Sequence, residues 1–281
     1  MTARILDFLA ARRPEGPCLV VDLDVVRDNF NAFRHALPDT RIYYAVKANP
    51  APEVLQLLAD LGSSFDCASI PEIEMVLATG ATADRISFGN TIKKERDIAR
   101  ALELGVDLFA VDCEAEVDKI ARQVAATGKA RARVFCRILC DGAGAEWPLS
   151  RKFGCDPSMA SEVLEHAHRG GLTAHGISFH VGSQQGNLDA WDGALSSAAA
   201  IFGELAERGI QLKMVNLGGG FPTRYLKDVP ATEAYGRSID EAVRRHFGNH
   251  VPETIIEPGR GMVGDAGMIK AELVLISKKS R

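Results

Sequence analysis

The sequence predicts an α/β fold, a (β/α)8 barrel of the TIM type, with remnants of a second, β-rich domain at both chain ends. Three observations carry this expectation. Eight short apolar runs alternate with stretches in which apolar residues recur at helical spacing. Glycines at the turns back (Gly62, Gly80, Gly105, Gly128 and Gly209) end several of those stretches, as helix C-caps do. Residues able to do chemistry also gather just after the apolar runs, where barrels of this kind place their sites.

The predicted strands are Ile42–Val46, Ser64–Cys67, Arg85–Phe88, Leu108–Val111, Val134–Leu139, Gly176–His180, Lys213–Leu217 and Thr254–Ile256. Helical periods are expected over Glu53–Leu61, Glu72–Ala78, Lys94–Leu104, Glu114–Val124, Ser161–His168, Ala190–Arg208 and Thr232–Phe247. Eight such units in roughly 230 residues fit a closed parallel barrel better than an open, doubly wound sheet. The barrel is expected over residues 37–265. An apolar strand at Cys18–Leu23 precedes it, within a segment 1–36 that belongs partly to the β-rich domain. A strand-like run at Met268–Ser277 opens an incomplete C-terminal domain over 266–281, which ends in the polar Lys278-Lys279-Ser280-Arg281.

Composition narrows the function classes. Of 281 residues, 46% are hydrophobic and 25% charged, as in ordinary globular chains. A net charge of −4 with no basic block argues against nucleic acid as a partner. No apolar run approaches the roughly 18 residues of a membrane helix, and the N-terminus lacks a signal-peptide pattern, so a cytoplasmic protein is expected. The six cysteines form no Cys-x-x-Cys pair; most, such as Cys67, Cys113 and Cys136, lie in apolar runs, so reduced core thiols are expected rather than disulfides or a metal site.

The segment Arg41-Ile-Tyr-Tyr-Ala-Val-Lys47-Ala-Asn49 delivers one lysine at the end of a buried strand. An amine among apolar neighbours loses solvation and holds its proton less tightly, so it can attack an aldehyde. On spacing alone, Lys47 reads equally as a surface lysine closing a strand. The other strand ends carry Asp66, Asn90, Arg137, His180, Gly218-Gly219-Gly220 and Glu257-Pro258-Gly259-Arg260. The glycine triplet is a loop of bare backbone that can approach an anion, with Arg260 adding charge, or else a flexible turn. It completes neither a P-loop nor a Gly-x-Gly-x-x-Gly fingerprint, which disfavours ATP and NAD. Glu257, shielded after an apolar run, needs a cationic partner, either a protonated pyridine nitrogen or a neighbouring arginine. His180 is either a satisfied core residue or a flat ring lying on a planar cofactor, with Ser183 near enough to donate to a phosphate. The cofactor needing this set is pyridoxal 5′-phosphate: a lysine for its aldehyde, bare backbone and arginine for its phosphate, an acid for its ring nitrogen.

Tyr44-Ala-Val-Lys47-Ala-Asn49-Pro50, Phe65-Asp66-Cys67-Ala68-Ser69, Arg151-Lys-Phe-Gly154, His180-Val-Gly-Ser183-Gln, Gly218-Gly-Gly-Phe-Pro222 and Glu257-Pro-Gly-Arg260 together resemble the fold-type III pyridoxal-phosphate decarboxylases of basic amino acids, whose barrel is shared with alanine racemases. Gly-Gly-Gly-Phe-Pro and Pro148-Leu-Ser-Arg-Lys-Phe-Gly look most like the ornithine and lysine enzymes. The resemblance implies decarboxylation of ornithine, or next lysine, to the diamine in polyamine synthesis. It implies Lys47 as the aldehyde-binding lysine, Glu257 as the partner of the ring nitrogen and His180 stacked on the ring. Ser183, Gly220 and Arg260 would hold the phosphate, Gly218, Gly219, Pro258 and Gly259 would also bind the cofactor, and Asp66 and Arg137 would sit beside the lysine and ring. It further implies a homodimer in a longer protein, whose absent part carries a cysteine–aspartate motif and a tyrosine. The strand edges that remain would expose apolar surface, so poor solubility or tight self-association is expected of this piece alone. A decarboxylase-like regulatory binding protein and a racemase are the alternatives.

Overall fold

Strands apolar on both faces need cover on both, and a barrel ringed by helices provides it. The computed structural model describes residues 2–128, 132–148 and 152–279. Its elements run α1 (Ala3–Arg12), β1 (Cys18–Val21), α2 (Leu23–Ala36), β2 (Thr40–Ala45), α3 (Pro52–Asp60), β3 (Ser64–Cys67), α4 (Ile70–Ala78) and β4 (Ile86–Phe88). They continue α5 (Glu95–Glu103), β5 (Leu108–Val111), α6 (Glu114–Thr127), β6 (Arg133–Arg137), β7 (Ala145–Trp147), α7 (Pro157–Arg169) and β8 (Thr173–Ser178). The last are β9 (Ser183–Gln185), α8 (Ala190–Glu207), β10 (Met214–Asn216), α9 (Thr232–Phe247), β11 (Glu253–Ile256), α10 (Arg260–Val263) and β12 (Gly267–Lys270).

Strands β2, β3, β4, β5, β6, β8, β10 and β11 close in that order into the predicted barrel, β11 returning to β2. All eight junctions are parallel. At the closing seam Thr254 lies opposite Thr40, their hydroxyls 2.6 Å apart. Side chains alternate across each strand, which splits the apolar residues into two sets. Tyr43, Leu108, Ala110, Phe135, Met214 and Ile255 form the small cluster that fills the barrel, while Ile42 and Tyr44 join the large one outside it. The interior is packed, so a site can form only above it, at the strands' carboxyl ends.

The helices form for local reasons. In α2, Val26, Phe30 and Phe33 recur on one buried face, and Asp22 caps the first turn by accepting from the Asp24 amide. Burying each such side chain stabilises by about 1.5–3 kcal/mol. Helix α9 lies so close to α2 that a β-carbon on Gly236 would sit 2.4 Å from the Ala36 carbonyl. Pro157 opens α7 behind an Asp156 cap.

Several expectations shift. The sixth strand ends at Ser178, two residues before His180, and β6 stops at Arg137, after which Ile138 keeps one bond to Ser178 and bridges to Cys155. Cys113 is exposed and precedes α6 instead of lying in a strand. Helix α1 and the antiparallel pair β7–β9 add to the prediction. Of the run Met268–Ser277 only the start is strand, pairing antiparallel with β1 from Cys18↔Lys270 to Val21↔Gly267. Beyond it Leu273, Val274, Leu275 and Ile276 are exposed without regular structure. The residues Leu149–Arg151 of the resemblance motif, and the terminal Ser280 and Arg281, lie outside the described residues. Among the described residues no helix is long and apolar enough to cross a membrane.

Candidate active site

Strand β2 hands the chain to a single 3-10 turn, Val46–Ala48, which lifts Lys47 out of the wall and onto the barrel mouth. Its side chain is 64% exposed, whereas Asp66, opposite Ala45 on β3, is 4% exposed. The Lys47 Nζ and Asp66 Oδ2 are 3.5 Å apart. The other oxygen of Asp66, Oδ1, is buried without a hydrogen-bond partner among the described residues. A β-carbon at Gly89 would lie 1.8 Å from that oxygen, so only glycine makes room for it. The proton of Lys47 is held more tightly than usual: attraction to Asp66, then to Glu257, outweighs burial and the repulsion of Arg137. This reverses the expectation of a loosened proton. The sequence placed the lysine but could not weigh two acids arriving from other strands.

Glu257 follows β11 and is braced from β10. The Asn216 amide donates to its Oε1, the Asn216 side-chain oxygen accepts from the Gly218 amide at 2.9 Å, and the Glu257 amide donates to the Gly218 carbonyl at 2.8 Å. Burial, reinforced by Asp66, pushes its carboxyl up to about 7 against the attraction of Lys47 and Arg137. Among the described residues no arginine forms an ion pair with it; its direct partner is an amide. Of the two partners expected for this acid, the arginine is the one the geometry does not supply.

His180 is a neutral ring, pushed down to about 3 by burial and by the nearby positive charges of Arg137 and Lys47. Its Nδ1 accepts from the Gly182 amide at 3.0 Å, which leaves the proton on Nε2. A β-carbon on Gly219 would meet that Nε2 at 3.1 Å and the Glu257 carbonyl at 2.8 Å. The glycine loop is therefore packed against neighbouring protein rather than a flexible turn. Gly218 shows this most severely: it has φ +67° and room for no β-carbon, the Phe179 carbonyl lying 1.9 Å from where one would be. Gly218→Ala is expected to cost about 3 kcal/mol or more through strain and collision, read as a fall in the thermal midpoint.

A cavity of about 430 Å³ opens over these groups, within the range that holds a cofactor. Lys47, His180, Ser183, Gly219, Gly220, Glu257, Gly259 and Arg260 line it. Asp66, Gly218 and Pro258 support it from behind, Pro258 through its carbonyl to the Ala45 amide at 3.4 Å. Arg137, the last residue of β6, lies over the Phe153 ring at 5.9 Å and acts on the site by charge. Asn90, also singled out in the sequence, does not line the cavity; its side chain donates to the Ile92 carbonyl. Sequence reasoning missed Gln184 and Tyr225 in the lining. Gln184 has φ +54° and is locked by paired hydrogen bonds to the Thr223 backbone. The Tyr225 hydroxyl accepts from Arg260 at 3.3 Å. Neither residue follows a strand directly, so the strand-end rule could not find them.

One exposed amine, an acid poised near neutrality whose direct partner among the described residues is an amide, a flat neutral imidazole, bare backbone and an arginine share one mouth. That donor set fits a planar heterocycle bearing an aldehyde and a phosphate, and so defines a cofactor-binding barrel. Residues 23–264 match the family model of the pyridoxal-dependent decarboxylases, pyridoxal binding domain. The chain belongs to that family. It is 38% identical to the lysine/ornithine decarboxylase of Selenomonas ruminantium over 91% of this chain and 64% of that protein. It is 35% identical to antizyme inhibitor 2 of Xenopus laevis over 91% of this chain and 55% of that protein. The crystal structure of lysine decarboxylase from Selenomonas ruminantium superposes with a TM-score of 0.85 at 36% identity, covering 96% of this chain and 69% of that one. The chain thus spans somewhat over half the length of these curated relatives.

Proposed function

We propose that this chain is the cofactor-binding part of an enzyme that decarboxylates a basic L-amino acid, ornithine first and lysine next, to its diamine and carbon dioxide. The observation that carries the reading is Glu257, held within the attraction of Lys47 in the same mouth and partnered by an amide instead of an arginine. Bound pyridoxal phosphate supplies the aldehyde and the electron sink. The protein's part is placement. Lys47 is the amine for the aldehyde, with Asp66 fixing its position. His180 offers a flat uncharged face, and Gly219 lets that ring sit close. Ser183, Gly220 and Arg260 take the phosphate end, with Gly218, Pro258 and Gly259 shaping the loops behind them. Glu257, once ionised, holds a proton on the ring nitrogen, and Arg137 biases it toward ionisation.

The choice of substrate rests on the relatives named as lysine and ornithine decarboxylases. The test is carbon dioxide release by the whole cofactor-loaded enzyme, of which this chain is the cofactor-binding part, from L-ornithine, L-lysine and L-arginine. Silence of the whole enzyme on all three, with cofactor bound, overturns it. A second reading, a regulatory binding protein, is favoured by the relative named as an antizyme inhibitor. Titration with pyridoxal phosphate separates the two, since the regulator reading expects no spectral change. A homodimer and a cytoplasmic location complete the proposal, the former checked by sedimentation.

Glu257 gives the reading a pH signature. Its carboxyl is neutral below about 7 and charged above it. Pairing with a protonated ring nitrogen favours the charged form, so binding releases a proton and affinity rises as pH climbs from 6 to 8. Glu257→Gln is expected to flatten that part of the profile in an absorbance titration; an unchanged slope counts against the assignment.

A further inference from the structure

Cys136 and Cys155 lie with their sulfurs 3.5 Å apart, 19 positions apart in the chain. Neither belongs to the motifs that define the cofactor site. Cys136 is on β6, immediately before Arg137; Cys155 follows Gly154 in the segment that bridges back to Ile138. Both sulfurs also lie near one oxygen, the Arg137 carbonyl, at 3.9 Å from Cys136 and 3.7 Å from Cys155. The same carbonyl accepts from the Cys155 amide at 3.0 Å. Both residues are buried, but Cys155 retains 7% exposure against 0% for Cys136.

We propose that Cys136 and Cys155 form a reversible dithiol–disulfide site coupled to the position of Arg137, with a hydroperoxide as the oxidant. The more exposed sulfur reacts first. The Cys155 thiolate attacks one peroxide oxygen, the O–O bond breaks, and an alcohol (water, for hydrogen peroxide) leaves with a proton, giving a sulfenic acid. The Cys136 sulfur then displaces the sulfenic oxygen, which leaves as water with the Cys136 proton. One S–S bond has formed, the two sulfurs have lost two electrons, and the peroxide has gained them. The hydrogen bond from Cys136 holds the Cys155 thiol below its usual range, while the Cys136 thiol is raised, which sets the same order.

Closure brings the sulfurs from 3.5 Å to about 2.0 Å, so the two backbones or their rotamers shift by roughly 1.5 Å in total. It also removes both S–H groups from beside the Arg137 carbonyl. Cys155 is pinned, its carbonyl taking the Leu139 amide at 2.8 Å and the neighbouring Gly154 amide held by Asp112 Oδ2 at 2.9 Å. The Arg137 carbonyl is hydrogen-bonded to the Cys155 amide at 3.0 Å, so the adjustment is passed to Arg137, whose charge acts on Lys47, His180 and Glu257. This last link rests on the proposed function; the disulfide itself does not.

The test treats the protein with hydrogen peroxide and counts thiols under denaturing conditions. Six thiols fall to four, peptide mapping places the bridge at Cys136–Cys155, and a thiol reductant restores six. Cys155→Ala and, independently, Cys136→Val form no bridge; either variant that folds suffices as the control. Retention of six thiols, or a bridge that maps to another pair such as Cys113 and Cys140, overturns the proposal. For the coupling, pyridoxal phosphate is titrated before and after oxidation. Roughly tenfold weaker binding, reversed by reductant and absent in the variant, is expected for a displaced positioning group. Unchanged affinity with the bridge formed overturns the coupling. Failure of the reduced protein to bind cofactor at all counts against the proposed function, while the thiol count is unaffected by it.

Discussion

Lys47→Ala is expected to abolish the visible absorbance of bound cofactor and to lower decarboxylation by roughly 10³-fold, about 4 kcal/mol of barrier. Among the described residues Lys47 is the only lysine lining the cavity, and Lys93, in the loop after β4, has a fully buried amine engaged elsewhere. Lys47→Arg separates charge from chemistry. It keeps a cation beside Asp66 but offers no nucleophilic nitrogen at neutral pH. Both variants should therefore lose the absorbance band, whereas a purely electrostatic role would let arginine rescue it. A Lys47→Ala protein with the band and full turnover would end the assignment.

The second large effect is on stability. Lys93 and Glu116 form a buried pair between the loop after β4 and helix α6, Nζ to Oε1 at 3.1 Å, with side-chain exposures of 0% and 3%. The ammonium also donates to the Asn90 and Ala110 carbonyls at 2.8 and 2.6 Å, tying that loop to the end of β5. Glu116 accepts from the Lys93 amide at 3.1 Å and has a second cation in Lys119. Lys93→Met is expected to destabilise by about 3 kcal/mol, the low end for removing one partner of a buried pair, because Lys119 still faces the acid. Combining it with Glu116→Leu should recover much of that loss, as apolar replacement of a whole buried pair often does. Denaturant unfolding of the three proteins checks this. Burial holds Lys93 down to about 8, so the unfolded chain binds more protons between about 8 and its unperturbed pKa of roughly 10.4. Stability from this group accordingly rises with pH across that window, and the rise should vanish in Lys93→Met.

How much of this was legible beforehand follows from how local each signal is. The barrel was, because eight β-rich runs such as Leu108–Val111 are apolar on both faces and carry their own boundaries. Lys47, His180, Ser183, Gly220, Glu257 and Arg260 were placed on one mouth because a closed barrel sends every strand's end to the same side. The Lys93–Glu116 pair was not, since a charge on an amphipathic stretch reads as solvated until two elements meet. Nor were β7 and β9, three residues each, one ending in an exposed tryptophan. The tight hold on the Lys47 proton depends on Asp66 and Glu257, and the sequence gives their order but not their distance. Whether the Gly218 loop was an anion cradle or a flexible turn stayed open, because a sequence cannot display the Phe179 carbonyl pressed against it.

The ribbon of β1 and β12 governs how the molecule would respond to being pulled. Cys18 opposite Lys270 is the outermost rung and Val21 opposite Gly267 the innermost, followed by the Asp22 amide on the Ala266 carbonyl at 2.8 Å. Tension applied through residues 17 and 271 would load those rungs one after another, like the teeth of a zip, rather than shear them together. The ribbon would thus yield at low force and lengthen the tether, sparing the closed cylinder behind it until the last rung has parted.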